Sequence, residues 1–196
     1  MPIVDLAFRL TGSKVPVDHG YALYSAISRL VPEIHEAKNI GVLPIRGTYG
    51  GNGELMLRDS SRLAVRMESE QIGQFLKLAG KKLEIDSCSF RVGVPEVRIL
   101  RPRPALYSRL VTIKGFMEPA GFLEAAKRQL EKIRVQAELD VGERRTFRIK
   151  DKQVVGFELA ATGLDAEDSL RLQESGIGGR RHMGCGIFVP ARAVET

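Results

Sequence analysis

Two periods of hydrophobicity alternate along this chain, and their order restricts the possible folds more than any other feature. Residues 3–10, IVDLAFRL, alternate apolar and polar side chains as a half-buried strand does. Residues 18–35, DHGYALYSAISRLVPEIH, then switch to helical spacing, with Ala22, Leu23, Ala26, Ile27, Leu30, Val31 and Ile34 three or four residues apart. Asp18 stands where it can cap this helix, and Pro32 bends or ends its last turn. IGVLPIRG and GELMLRD follow as two strands of a hairpin split by the glycine-rich turn GTYGGNG. SRLAVRM extends or follows the second of them. ESEQIGQFLKLAG reads as a short helix closed by Gly80, and KKLEIDSCSFRVG as strand, turn and strand.

The second half repeats that order. YSRLVTIKGF is a strand, and EPAGFLEAAKRQLEKIRV is a helix with Pro119 in its first turn and Phe122, Leu123, Ala126, Leu130 and Ile133 on one stripe. RTFRIKDKQVVGFELAA is a strand pair joined by a tight turn at Asp151 and Lys152. DAEDSLRLQESG is a helix capped by Asp165 and stopped by Gly176, and CGIFVP is a last short strand. Each half therefore follows the plan βαββαβ. The expected class is α+β, with two tandem ferredoxin-like (RRM-like) domains over residues 1–96 and 97–196. Residues 95–107, PEVRILRPRPALY, interrupt both periods with three prolines and three arginines and mark the boundary region. No residue-level repeat relates the halves.

Composition narrows the partners. With 196 residues, 43% of them hydrophobic, the chain can bury one core or two small ones. A formal charge of +6 points towards nucleic acid or another polyanion. No run approaches the ~20 apolar residues of a membrane span. The opening MPIVDLAFRLTGSK carries Asp5 and Arg9 within its apolar run and reads as a strand, so a cytoplasmic protein is expected. Cys88 and Cys185 are the only cysteines, too few for a disulfide framework or a four-thiolate zinc site, and read as small buried hydrophobes. No cluster with metal-ligand spacing appears, and no cofactor or metal is expected.

Residues 175–190, SGIGGRRHMGCGIFVP, hold five glycines, two arginines and a histidine. Such a backbone suits close approach by a ligand or tight turns. As a dinucleotide fingerprint it fails, because Arg181 stands where a third glycine should. As a P-loop it lacks the Gly-Lys-Ser/Thr ending. What remains is a loop whose N–H groups, with Arg180 and Arg181, could hold phosphates, or else a glycine-rich turn with two solvated arginines. From Val97 to Met117 there are also five basic residues and no acidic one, either a basic stripe or a solvated linker.

Taken with the doubled plan, PVDHGYALYSAISRLVPEIH, LYSRLVTIKGF and LRLQESGIGGRRHMGCGIFVP resemble the RAMP superfamily of CRISPR-associated proteins. Within it the chain is similar to the shorter type I branch of the Cas-six family, over essentially its whole length. The glycine loop is common to RAMP proteins; the N-terminal histidine region is the part that resembles the nuclease. The resemblance implies a metal-independent endoribonuclease of antiviral defence that cuts precursor CRISPR RNA within its repeats. In that chemistry the ribose 2′-hydroxyl attacks the adjacent phosphate, leaving a 2′,3′-cyclic phosphate and a 5′-hydroxyl. It also implies partners: repeat RNA, the mature crRNA, and other subunits of a type I effector complex.

Such a reaction needs a proton acceptor, a proton donor and positive charge at the phosphate. The three histidines, His19, His35 and His182, are the side chains that titrate near neutrality. His35 best matches the family's catalytic position and stands at the expected C-terminus of the first helix, where the dipole favours an imidazolium acid. His19, at the N-terminal end, is a neutral base or part of the cap. Lys38 is a candidate for phosphate stabilisation. Tyr24 lies on nearly the same helical face as His35, but eleven residues rise about 16 Å, which excludes a common scissile group. The RNA contacts are assigned to Gly178, Gly179, Arg180, Arg181, His182 and Lys114, with Arg101 and Arg103 as weaker candidates. A rival reading is a non-catalytic RNA-binding RAMP subunit, and a third is a basic ferredoxin-like module for an acidic metabolite or protein.

Overall fold

In the computed structural model, which describes residues 1–37 and 39–191, the first alternating segment forms β1 (Ile3–Gly12) with Leu6 and Phe8 fully buried. The chain continues through β2 (Lys14–Pro16), α1 (Gly20–Ser28), a 3₁₀ turn (Pro32–His35) and β3 (Gly41–Leu43). Next come β4 (Thr48–Gly51), β5 (Glu54–Met56), β6 (Arg62–Glu68), the short α2 (Ile72–Phe75) flanked by 3₁₀ turns, β7 (Lys82–Ile85) and β8 (Cys88–Ile99). The main sheet is antiparallel in the order β3-β6-β1-β8-β7. Without the edge strand β7, that is the ferredoxin-like arrangement, in which the first strand lies between the fourth and the third. Leu23, Ile27 and Phe75 from the helices meet Leu6, Phe8, Leu63, Val65 and Phe90 from the sheet in one core. Each such side chain contributes roughly 1.5–3 kcal/mol relative to exposure. At the register pair Asp5↔Arg66, the buried guanidinium donates to both carboxylate oxygens, Nε to Oδ1 at 2.7 Å and Nη2 to Oδ2 at 2.9 Å.

The second unit runs β9 (Leu106–Val111), α3 (Pro119–Lys132), β10 (Glu138–Ile149), β11 (Lys152–Thr162), α4 (Ala166–Ser175) and β12 (Val189–Pro190). Its sheet order, β10-β11-β9-β12, is the same plan with nothing added. Phe122 and Phe157 pack at 4.8 Å between ring centroids, in a core with Leu106, Leu130, Leu159, Leu172 and Phe188. Asp165 caps α4 by accepting from the Asp168 N–H at 2.8 Å, and Gly176 ends it at φ 58°. Cys88 and Cys185 are both buried. Among the described residues no helix is long and apolar enough to cross a membrane.

Three expectations are corrected. The hairpin pairs β4 with β5, in a separate three-stranded sheet with β2, whereas β3 joins the main sheet beside β6. Gly47 and Pro44 lie between β3 and β4 and break what had read as one strand. The first helix stops at Ser28, because the residue before a proline is driven out of the helical region; Val31 sits at φ −131°, ψ 75°. The N-cap of α1 is His19 and not Asp18, and the His19 side chain makes no capping hydrogen bond. The first unit comprises Met1–Ile99 with His182–Gly184, and β8 runs to Ile99.

Candidate functional site

The break before Pro32 creates the most reactive-looking constellation in the first unit. Past the end of α1 the chain folds back into the 3₁₀ turn, which is pinned from below by the fully buried Val31 and Ile34. From above, Lys77 donates to Glu33 at 2.7 Å, and that bond holds the Glu33 carboxyl below its ordinary range. The pair is exposed and adds little to stability. His35 is thereby returned over the helix it follows, and its Nδ1 lies 2.6 Å from the Tyr24 hydroxyl. The rings meet edge to face, with centroids 5.4 Å apart at 81°. The expected exclusion of Tyr24 is therefore wrong, since the 16 Å separation assumed one continuous helix.

Tyr24 is half-buried on the face of α1 next to Leu23 and Ile27, while His35 is exposed. Burial, and to a smaller degree the neighbouring Tyr21, raises the Tyr24 phenol above its ordinary value of 10.0, so it keeps its proton across the working range. A protonated phenol can donate to a bare Nδ1 or accept from Nδ1–H. Either way the bond uses Nδ1 and presents Nε2 as the nitrogen that a substrate can meet. The helix-dipole argument for an imidazolium at His35 lapses, because His35 ends a four-residue 3₁₀ turn rather than α1. His182 completes the group: its ring stacks on Tyr24, with centroids 5.1 Å apart at 28°.

His19 is only 1% exposed. Its Nδ1 lies 2.7 Å from the Pro16 carbonyl oxygen, and its Nε2 accepts from the Ile45 N–H at 2.9 Å. That pattern requires a neutral ring with its proton on Nδ1, donating to Pro16. The imidazole clasps two loops, and both nitrogens are occupied by backbone rather than presented to a substrate. Lys38 lies outside the described residues.

In the second unit the glycine loop is closed mostly on its own backbone. A Cβ at Gly176 would collide with the Gly186 carbonyl, and one at Gly186 with the Ile177 carbonyl. Both positions also have φ near 60°, which side chains resist. The close approach implied by the glycines is thus made by the loop's two arms. The Gly178 N–H donates to Gln129 Oε1 at 2.6 Å, and the Gly179 N–H to the Thr112 carbonyl at 2.9 Å. Neither amide faces out to hold a phosphate, contrary to expectation. Arg181 is half-buried and donates to the Ser175 carbonyl, and His182 faces Tyr24. The exposed tip is Gly179 and Arg180, the latter at φ 64° with Nη1 3.4 Å from Thr112 Oγ1. Lys114, two residues after Thr112, is exposed as well, so the accessible charge gathers around Thr112. Arg101 and Arg103 are exposed, while the backbone of both is tied to α4 through Gln173 and Ser169.

Tyr24 is the neighbour of His35 that the sequence reading set aside. The signal for it was Pro32: a helix ended before that proline removes the distance argument. Among the described residues no group of three or more His, Cys, Asp or Glu side chains could hold a metal ion.

Comparison with known proteins places this geometry in context. The model of the family described as Cas6 Crispr matches residues 4–193. A CRISPR-associated endonuclease Cas6 from Myxococcus xanthus (strain DK1622) is 46% identical over 190 residues, 97% of this chain and 82% of that protein. Among solved structures, a CRISPR associated protein Cas6 aligns with a TM-score of 0.66 at 15% identity, covering 97% of this chain and 99% of that one. A Thermus thermophilus Cse3, bound to an RNA representing a pre-cleavage complex, aligns with a TM-score of 0.56 at 14% identity, over 98% and 100% of the two chains. At such identities the two structures speak for the fold alone, the tandem ferredoxin-like arrangement.

Proposed function

Since the chain belongs to the Cas6 family of CRISPR-associated proteins, we propose that it is an endoribonuclease that cuts precursor CRISPR RNA within its repeats, without a metal. The observation that carries this reading is the 2.6 Å contact between the Tyr24 hydroxyl and His35 Nδ1, which orients an exposed imidazole. In the proposed reaction the ribose 2′-oxygen attacks the adjacent phosphorus in line. The O2′–P bond forms as the P–O5′ bond breaks, giving a 2′,3′-cyclic phosphate and a 5′-hydroxyl. The 2′-hydroxyl gives its proton to water, and the departing 5′-oxygen receives one from His35. His35, as imidazolium, donates Nδ1–H to the Tyr24 oxygen and gives its Nε2 proton to the 5′-oxygen. No proton transfer is assigned to His19, whose ring nitrogens serve the backbone. Lys38, three residues after His35, is assigned positive charge at the phosphate from its place in the sequence.

RNA phosphates are assigned to Arg180 and Lys114, with the open Gly179 allowing the strand to come close. Arg181, Gly178 and His182 shape the loop rather than touch the RNA. The cut RNA stays bound and passes to a type I effector complex in the cytoplasm, where repeat transcripts are made.

The test uses end-labelled repeat RNA from the neighbouring CRISPR array, excess protein and EDTA. A single cut leaving a cyclic phosphate, lost in His35→Ala while the RNA still binds, is the expected result. Tight, salt-sensitive binding of the correct repeat without any cut would assign the chain to the non-catalytic RNA-binding subunits instead.

A further inference from the structure

The segment His182–Gly184 belongs to the first unit, although Arg181 and Cys185 on either side of it belong to the second. Three contacts seat it there. The Met183 carbonyl lies so close over Gly20, the first residue of α1, that no Cβ could stand between them. Gly184, at φ 85°, leaves room for the Pro44 ring, whose Cγ would be 3.0 Å from an added Cβ. His182 then stacks against the Tyr24 ring, with centroids 5.1 Å apart and planes inclined by 28°. Tyr24 therefore stacks against His182 while its hydroxyl meets His35 Nδ1. Offset stacks of this kind orient rings as well as bury them.

We propose that His182 is a positioning residue: its ring, carried on the glycine loop, holds Tyr24 in the rotamer that keeps the phenolic oxygen on His35 Nδ1. This deepens the reading of His35 as the proton-transferring group and rests on it. The loop that bears Arg180 at its exposed tip continues, two residues later, into the support of the Tyr24–His35 pair. The role requires a flat ring and not a titrating nitrogen.

That distinction sets the experiment, which compares His182→Phe with His182→Ala in the full chain. Without RNA, the pH midpoint of the His35 ring is followed by NMR. His182→Ala is expected to move it in the same direction as Tyr24→Phe, and His182→Phe to leave it unchanged. With saturating repeat RNA, the single-turnover cutting rate should fall about threefold to tenfold in His182→Ala, with RNA affinity held, and recover in His182→Phe. Adding His182→Ala to Tyr24→Phe should cost nothing further. An unmoved midpoint in a folded His182→Ala protein overturns the proposal, as does a His182→Phe protein as impaired as the alanine variant. Because the titration needs no turnover, a chain that never cuts RNA would refute the nuclease reading and leave the positioning claim to be decided by the NMR arm.

Discussion

The two units share one strand plan and treat the helix after the first strand in opposite ways. In the second unit α3 runs fourteen residues without a break, with Pro119 at its start, where a missing N–H costs nothing. In the first unit α1 ends after nine residues, and Pro32 opens a separate turn in which Val31 and Ile34 are buried and His35 is left outside. The same residue type starts one helix and breaks the chain after the other, and only the break brings a histidine back over its own helix. The second unit uses its regularity to carry a loop closed on itself, with Arg180 and Lys114 exposed around Thr112. One unit is irregular where chemistry is proposed, and the other is regular where RNA binding is proposed.

Substitutions can break or sharpen that contrast. The largest effect is expected from the irregular turn: His35→Ala should lower single-turnover cutting by about 10²–10⁴-fold, the usual contribution of a positioned acid or base. Tyr24→Phe removes only the oxygen from Nδ1 and should cost about tenfold to a hundredfold in rate, with RNA affinity kept, as for a hydrogen bond to a charged group. In the second unit, Gly176→Ala should destabilise the fold by about 1–3 kcal/mol, from left-handed backbone strain and the clash with Gly186, whereas Gly179→Ala, which meets open space, should leave the melting temperature in place. Equal effects at the two glycines would remove the claim that the loop closes on itself. Arg180→Ala should lower the slope of log affinity against log salt by about one, with the cutting rate at saturation unchanged.

The smallest effect is one of pH. Burial, followed by a hydrogen bond to Glu158, pushes the Tyr107 phenol up to about 12. The folded chain thus keeps a proton that the unfolded chain loses near 10, so this contribution is complete below pH 10 and is lost as pH rises towards 12. Tyr107→Phe should flatten the fall in stability across that window, as followed by denaturant titration.

The tandem plan was legible because it rests on local periods. The stripe of α3 and the Asp165 and Gly176 ends of α4 appear in the structure where the spacing put them. The hairpin partner of β5 was not legible, because β3 and β4 are consecutive and either could have paired with it. Nor was the purpose of the glycines: whether an amide at Gly178 faces a phosphate or Gln129 depends on a side chain 49 positions away in sequence. His19 looked like a candidate base because its sequence neighbourhood does not reveal that Ile45 donates to it. His35 is proposed from family likeness, while Tyr24, which the structure brings against it, was set aside by extending a helix through a proline.

The central claim is that the exposed histidine on the broken helix works and the buried one holds the fold. The direct measurement is the single-turnover rate of repeat cutting in EDTA, per folded molecule, for His35→Ala beside His19→Ala. The account predicts that His35→Ala binds repeat RNA and does not cut it. His19→Ala should melt earlier and cut, where folded, at close to the unaltered rate. A His35→Ala protein that cuts normally, or a well-folded His19→Ala protein that cannot cut, would contradict it.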